Sequence, residues 1–456
     1  MSENIFYKQT HLAEKMDESE KREAGAYADS YIAFLNAGKT ERECVAYAVA
    51  EAEKAGFVPY VPGMELKPGD RIYSVNRGKS MTLAVIGRQD LSHGCNIAGA
   101  HIDSPRLDLK QLPFYEDGEM ALLKTHYYGG IKKYQWVTIP LALHGVAVRA
   151  DGSTVQISIG EDEDDPIFMI TDLLPHLAAD QVKKTAADLF TGENLNVFIG
   201  STPVSEGDER FKAKVLELIH ERCGLCEEDF ISAEICAVPA FRARYLGLDR
   251  SMIASYGHDD RSCAWAELKA IFDIRDPERT AVCILTDKEE VGSDGVTGSQ
   301  STAFEFFMQD LCETQGVSLR RCFEQSFCLS ADVCNAFDPN FPEVSEKRNN
   351  AKCNYGVGIL KFTGARGKSG SNDASAETVG TVRRIFAKAG VTWQMAELGK
   401  VDQGGGGTIA KFMANRNIET IDAGVPVLSM HAPYEAVAVN DCYMTYRAVK
   451  AVYEER

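Results

Sequence analysis

Two adjacent glutamates follow an apolar, β-branched run near the middle of the chain. The run covers residues 280–286 (TAVCILT), is typical of a buried strand, and leads into Glu289 and Glu290. Neighbouring carboxylates repel each other, so such a pair usually needs a cation or a proton nearby. Open α/β sheets gather their ligands at the carboxyl ends of strands. The pair therefore suggests a hydrolytic metal centre, with a solvated acidic turn as the alternative.

Further ligand-type side chains stand where other predicted strands end. His101 and Asp103 alternate on one side of an extended chain, so one can bind a metal while the other accepts the second imidazole N–H. In the His-Asp-Asp-Arg turn, Asp259 or Asp260 offers a carboxylate that could bridge two cations. Asp332 follows an apolar run, and His431 precedes the last predicted helix. Two histidines and three carboxylates, with a spare glutamate, suit two divalent ions such as zinc.

The paired glutamates match the two tasks of such a site. One carboxylate can coordinate, while the other stays off the metals and carries a proton from water to the leaving amine. A free α-amine could pair with the acidic groups, which would select N-terminal residues of peptides. Candidates for lining the substrate backbone are Gly405, Gly406 and Thr408, with a plain helix N-terminus as the alternative. Lys361 is a candidate contact for an acidic side chain, with an ordinary surface lysine as the alternative.

Composition bounds the class of protein. A chain of 456 residues suggests two domains, and 45% hydrophobic with 25% charged residues is typical of a folded soluble protein. No apolar run reaches about 18 residues, so we expect no membrane span. The net charge of −18 argues against nucleic-acid binding. Thirteen cysteines, an odd number, many of them in apolar runs, indicate reduced thiols and a cytoplasmic location.

The periodicity predicts an α/β fold with a central sheet between helices. Residues 17–56 read as two helices that break at 36–38, with Thr40 as an N-cap. Residues 106–240 alternate apolar and polar positions and read as an inserted β-rich domain. Strands are predicted at 81–88, 95–101, 143–149, 154–159, 281–286, 327–332, 356–362 and 417–422, and further helices at 263–273, 376–389, 405–414 and 434–453.

Seven collinear segments resemble one known family. They are GAHIDSP (99–105), YGGI (128–131), LPHLA (174–178), DKEEVGS (287–293), SADVCNAFDPNF (330–341), GGGGTIA (404–410) and DAGVPVLSMHAPYE (422–435). At these residues the sequence resembles the aspartyl aminopeptidase family, metallopeptidase family 18, in a bacterial-type branch.

The resemblance implies a role for each matching residue. In the family pattern, Glu289 is the general base and Asp103 orients a ligating histidine. In that pattern, His101 and Asp332 hold one zinc ion, and Glu290 and His431 hold the other. Asp259 is the carboxylate that bridges the two ions. Cobalt or manganese is expected to substitute for zinc.

The resemblance also implies an architecture and an assembly. The mixed-sheet catalytic domain would comprise 1–105 and 241–456, interrupted by a β-rich dimerisation domain at 106–240. Family members cleave peptides and assemble through dimers into tetrahedral dodecamers, so peptide substrates and self-association are the expected partners, with no nucleic acid and no membrane.

Some positions depart from the family pattern. His176 remains of a histidine pair whose segment reaches a neighbour's active site in known members, and Asp180 replaces the second histidine. Residues 363–372 also differ, which leaves the preference for acidic N-terminal residues open. Two alternatives remain: a deblocking or glutamyl-type aminopeptidase resembling metallopeptidase family 42, and a catalytically silent assembly scaffold. The complete set of candidate ligands argues against the scaffold.

Overall fold

The computed structural model describes residues 5–456, so residues 1–4 of the first predicted catalytic segment lie outside the described residues. Its helices are α1 (Leu12–Lys15), α2 (Glu18–Ala37), α3 (Glu41–Lys54), α4 (Arg210–Cys223), α5 (His258–Asp273), α6 (Ala303–Thr314), α7 (Leu319–Glu324), α8 (Ala365–Lys368), α9 (Ala376–Ala389), α10 (Ala410–Asn415) and α11 (Val439–Tyr453). Its strands are β1 (Val58–Pro59), β2 (Arg71–Asn76), β3 (Ser80–Val85), β4 (Cys95–His101), β5 (Arg106–Asp117), β6 (Met120–Tyr128), β7 (Leu141–Val148), β8 (Thr154–Ile159), β9 (Val197–Gly200), β10 (Ala233–Pro239), β11 (Arg244–Leu246), β12 (Met252–Ser255), β13 (Thr280–Thr286), β14 (Phe327–Ser330), β15 (Cys334–Asn335), β16 (Val357–Leu360), β17 (Trp393–Met395), β18 (Glu419–Gly424), β19 (Pro426–Leu428) and β20 (Glu435–Ala438).

The chain divides into two compact units. The first contains the chain up to Asp103, Ala243–Met430 and Glu435–Arg456, and the second contains Ser104–Arg242 with His431–Tyr434. The first unit holds a nine-stranded mixed sheet in the order β1-β2-β3-β13-β4-β14-β18-β16-β17 and a five-stranded sheet in the order β11-β12-β20-β19-β15. The second unit holds a six-stranded antiparallel sheet in the order β8-β7-β10-β5-β6-β9, together with α4.

The nine-stranded sheet is covered on both faces, as the sequence predicts. Along β4, Ala98 and Ala100 join a core that includes buried residues of α2, α5 and α11, while Cys95 and Ile97 join a core with α6 and α7. Every residue of β4 and β13 is buried, which explains why these strands read as unbroken apolar runs. The predicted central sheet between helices is confirmed.

Several predicted boundaries match the structure because local chemistry sets them. Helix α9 spans the predicted residues 376–389, and β4 the predicted residues 95–101. Thr40 caps α3 as predicted: its side chain accepts the N–H of Glu43, whose carboxylate accepts the N–H of Thr40 at 3.0 Å.

Two predicted helix starts are wrong. The prediction at 405–414 included glycines that are costly in a helix, and α10 begins only at Ala410. The prediction at 434–453 merged two elements, because Glu435–Ala438 pairs with β12 and β19 before α11 begins at Val439. Among the described residues, no helix has the length and apolar character needed to cross a membrane.

Candidate metal centre

The parallel pairing of three central strands brings the predicted ligands to one edge of the sheet. In register, His101 at the end of β4 stands opposite Thr286 at the end of β13, and Gly99 of β4 stands opposite Ser330 at the end of β14. The segments that follow these strands therefore leave the sheet at the same edge. They carry the predicted site residues Asp103, Glu289, Glu290 and Asp332.

His101, Asp259 and Asp332 form a compact cluster at this edge. One ligand atom from each lies within 4.8 Å of the other two, and the residues are 1%, 4% and 8% exposed. Nε2 of His101 lies 3.0 Å from Oδ1 of Asp259. Its Nδ1 lies 3.0 Å from the main-chain carbonyl oxygen of Asp103, which can only accept a hydrogen bond. Each ring nitrogen therefore faces an acceptor oxygen. With a metal ion on Nε2, the ring would keep its proton on Nδ1, where the Asp103 carbonyl accepts it.

The electrostatics of the cluster favour a bound cation. Burial raises the pKa of Asp332 well above its usual value, and the negative charges of Glu289, Asp259 and Asp422 raise it further, against the opposing effect of His101. Burial alone would lower the pKa of His101, but hydrogen bonds to Asp103 and Asp259 and the charge of Glu289 raise it well above its ordinary value. A divalent ion would relieve this repulsion, and one imidazole with two carboxylates is a ligand set that zinc accepts.

Asp103 connects the histidine to the two glutamates. It is completely buried, and its Oδ1 lies 3.4 Å from Nδ1 of His101. The two oxygens of this carboxylate accept the main-chain N–H groups of Glu289 and Glu290 at 3.1 and 3.2 Å. These glutamates open a single 3₁₀ turn, Glu289–Val291, preceded by Lys288 at φ 68°. Oε2 of Glu289 reaches 3.9 Å from Nε2 of His101, and the Glu289 side chain is 17% exposed, so it remains accessible from solvent.

The sequence leaves Asp259 and Asp260 as alternatives, and their geometries differ. Asp259 faces His101, whereas Asp260 is completely buried and stands outside the compact cluster. The peptide bond between them is cis. Burial raises the pKa of Asp260 well above its usual value, and the charge of Asp332 raises it further.

Three residues that sequence reasoning did not single out contact the Asp259 segment. The main-chain N–H of Asp259 donates to Oε2 of Glu435 at 3.1 Å. The preceding residue, His258, lies 2.7 Å from the hydroxyl of Tyr31 through its Nδ1. Glu435 lies within the family-like segment 422–435, and His258 is the histidine of the His-Asp-Asp-Arg turn, so both lay in signalled segments without a role of their own. Tyr31 gave no such signal, because buried aromatic side chains are common in cores.

His431 belongs by its contacts to the second unit. It follows β19, has φ 65°, and its Nδ1 lies 2.8 Å from the carbonyl oxygen of Gly130 in the same unit. That carbonyl can only accept, so a neutral ring carries its proton on Nδ1 and a lone pair on Nε2. His176 is exposed in a 3₁₀ turn of this unit, Pro175–Leu177.

The predicted substrate-contact residues of the first unit lie around a glycine-rich region, defined as residues 363–372 with 404–407. Lys361 follows β16, and its Nζ pairs with Asp373 at 2.7 Å. Gly406 donates its N–H to the carbonyl of Thr363 at 3.0 Å, which joins the two segments. Gly405 has φ 131°, and a Cβ there would approach the Cα of Ala365 to 2.5 Å, so only glycine fits. Thr408, just after the region, is buried.

A histidine–carboxylate cluster with an accessible glutamate, at the carboxyl edge of a mixed sheet, is typical of a metal-dependent hydrolase. Comparison with known proteins gives the family. Residues 34–453 match the family model described as aminopeptidase I zinc metalloprotease (M18), and the chain belongs to that family. It is therefore a metallo-aminopeptidase, as the sequence predicts.

Individual relatives agree with the family match. A probable M18 family aminopeptidase 1 of Clostridium acetobutylicum is 47% identical over 461 residues, covering 99% of each chain. The crystal structure of an M18 aminopeptidase from Thermotoga maritima superposes with a TM-score of 0.95 at 41% identity, covering 99% of this chain and 100% of that one. The structure of the yeast mApe1 dodecamer has a TM-score of 0.78 at 18% identity, covering 95% of this chain and 97% of that one, which shows a shared fold alone.

Proposed function

We propose that this chain is a dinuclear zinc aminopeptidase in which Glu289 is the general base. The observation that carries the proposal is the buried cluster of His101, Asp259 and Asp332, with Oε2 of Glu289 only 3.9 Å from Nε2 of His101. One ion would be held by His101 and Asp332, the other by Glu290 and His431, with Asp259 shared between them.

The chain's own residues divide the chemistry. When bound, the metal ions would polarise the scissile carbonyl and lower the pKa of the attacking water. Glu289 accepts the proton of that water on its carboxylate and delivers it to the leaving amine. Asp103 keeps Glu289 and Glu290 in register by accepting both of their main-chain N–H groups, and it also faces the ring of His101. The Asp103 carboxylate, which is not one of the proposed metal ligands, thus contacts three proposed site residues.

Substrate selection is proposed to depend on the free amine and on the glycine-rich region. The free α-amine of the peptide pairs with the acidic groups of the centre, while Gly405, Gly406 and Thr408 line the peptide backbone. Lys361 contacts an acidic first side chain. The pairing of Lys361 with Asp373 favours a second candidate specificity, for neutral residues, because the lysine charge is already partly compensated.

The assembly and location are also proposals. We propose that the six-stranded unit, with domain limits of 106–240, mediates dimers that build a tetrahedral dodecamer, in which His176 reaches a neighbouring subunit's pocket. The fold shared with the yeast mApe1 dodecamer supports this. A cytoplasmic location is supported by the cysteines, none of which forms a disulfide within residues 5–456.

The test is a metal titration followed by a substrate panel. Metal-free protein is reconstituted with zinc, cobalt or manganese, and bound metal per subunit is measured. Aminoacyl-nitroanilides of Asp, Glu, Leu and Lys are then compared by kcat/KM. Two ions per subunit with fastest cleavage of Asp and Glu support the full proposal, and faster cleavage of Leu supports the second specificity. Protein that binds a single ion at full activity contradicts the dinuclear site.

A further inference from the structure

The main chain around Asp259 is fixed by contacts from two distant elements. Strand β12 ends at Ser255, and the chain turns through Gly257 at φ 75° before α5 begins at His258. Asp259 and Asp260 themselves have non-helical dihedral angles. The hydrogen bonds of the helix therefore do not set the direction of the Asp259 carboxylate. Contacts from other elements must hold the main chain in place here.

Glu435 supplies the first contact. It is the first residue of β20, is 2% exposed, and stands opposite Ser255 in the antiparallel pairing of β12 with β20. From there its Oε2 accepts the main-chain N–H of Asp259 at 3.1 Å. Hydrogen bonds from N–H groups to buried carboxylates are among the stronger ones in proteins. Glu435 thus ties the start of α5 to the edge of a sheet.

Tyr31 supplies the second contact, through His258. Nε2 of His258 lies 3.0 Å from the carbonyl oxygen of Ile253, which can only accept, so this nitrogen carries the proton. Nδ1 is then an acceptor, and the Tyr31 hydroxyl donates to it at 2.7 Å. Both side chains are completely buried. The imidazole next to Asp259 is therefore held at both nitrogens.

We propose that Glu435 and Tyr31 are positioning residues that fix the main chain at Asp259, so that its carboxylate faces His101 and the bound metal. The inference rests on the proposed function, because it assumes that Asp259 is a metal ligand. Loss of partners outside the metal's own ligands typically weakens metal affinity or activity about 10–100-fold.

The experiment measures cobalt binding to the full-length chain by chelator competition and by the visible absorption of the bound ion. Glu435→Ala is expected to weaken affinity about 10–100-fold and to alter the cobalt spectrum, and Tyr31→Phe about 10-fold. Glu435→Gln keeps an oxygen acceptor for the Asp259 N–H, so most of the lost affinity should return. The thermal unfolding of each variant is also measured without metal. A positioning role predicts that the free energy of cobalt binding changes by more than the free energy of unfolding of the metal-free protein.

Tyr27→Phe is the matched control. Tyr27 lies on the same helix, four residues before Tyr31, is 5% exposed, and its hydroxyl has no hydrogen-bond partner within the part of the chain that the structure describes. Its removal should leave cobalt affinity and spectrum unchanged.

The outcomes separate the two proposals. Wild-type protein that binds no cobalt contradicts the proposed function itself. Wild-type binding together with unchanged binding in Tyr31→Phe and Glu435→Ala overturns the positioning inference alone. Glu435→Gln as damaging as Glu435→Ala also overturns it, because the charge rather than the hydrogen bond would then matter. Tyr31→Phe preserves the ring, so the test holds even where Glu435→Ala does not fold.

Discussion

The compact cluster of the candidate metal centre and the glycine-rich region show opposite solutions to building a site. The cluster residues His101, Asp259 and Asp332 are at most 8% exposed and stand at the ends or starts of packed elements. The glycine-rich region is irregular, and much of its chain is exposed, with positive φ angles at Arg366, Lys368 and Gly405. The residues proposed for metal binding, which need fixed distances, are held by packed strands and helices. The region proposed to select substrates is an irregular loop region.

The largest expected effect concerns the accessible acid of the rigid site. Glu289→Gln keeps the shape of the side chain but removes the proposed base, so kcat should fall about 10²–10⁴-fold with bound zinc unchanged. Steady-state kinetics and metal analysis on the same preparation measure both quantities. Asp294→Asn, at an exposed position five residues further along the chain, is the control and should retain activity. Wild-type turnover in Glu289→Gln would remove this residue from proton transfer and weaken the contrast between the two regions.

The next effect tests whether the cluster is organised around a cation. Asp332→Asn should weaken zinc affinity at least about 10–100-fold, because the charge of a proposed ligand is lost. The same change should raise the thermal stability of the metal-free protein, since one repelling buried carboxylate is gone. Chelator competition and thermal unfolding measure the two effects, with Asp338→Asn as the control. A metal-free variant less stable than wild type would mean that the carboxylate has a structural role instead.

A smaller effect is expected in the glycine-rich region. Lys361→Gln should lower the ratio of kcat/KM for Asp to that for Leu substrates by about 10-fold or less, because exposed ion pairs contribute little. Lys368 pairs with the same Asp373 at 3.1 Å, so Lys368→Gln is a matched control for loss of that ion pair. Equal ratios in wild type and Lys361→Gln would show that acidic selectivity, if present, comes from elsewhere.

The last prediction concerns stability rather than activity, at a buried acid that lies outside both regions. Asp441 is completely buried and accepts the N–H groups of Asn354 and Gly356 at 2.6 and 2.8 Å. Burial outweighs these bonds and raises the pKa of Asp441 to about 8. The folded protein thus keeps a proton that the unfolded chain releases above about pH 4, so stability falls as the pH rises from there to about pH 8.

Asp441→Asn should remove this contribution to the pH dependence. Its unfolding free energy should therefore decline less steeply than that of wild type between about pH 5 and pH 8, the difference being at most about 1.4 kcal/mol per pH unit. At the low end of the range the variant should be less stable, because the two N–H groups donate to different oxygens of Asp441 and the amide nitrogen of asparagine cannot accept. Denaturant unfolding of metal-free protein at several pH values measures this. Parallel pH profiles would show that Asp441 is already ionised in the folded state.

The sequence was most informative where local pattern and chain topology agree. Buried strands such as β4 and β13 are continuous apolar runs, and polar residues directly after them had to meet at one sheet edge once the strands were parallel. The helix start at 434 failed because Glu435–Ala438 becomes a strand only by pairing, with β19 and with β12, and β12 is more than a hundred residues away. The role proposed for Tyr31 could not be predicted from the sequence for the same reason, because its hydrogen bond to His258 spans 227 positions.

The central place of β4 in the sheet has a consequence for synthesis. This strand pairs on one side with β13 and on the other with β14, both of which leave the ribosome long after it. Strand edges that wait for distant partners are slow to pair and prone to aggregate. We expect growing chains to need protection until Phe327–Ser330 has emerged. A prematurely terminated product, lacking one or both neighbours of β4, should be unable to digest peptides in the cell that makes it.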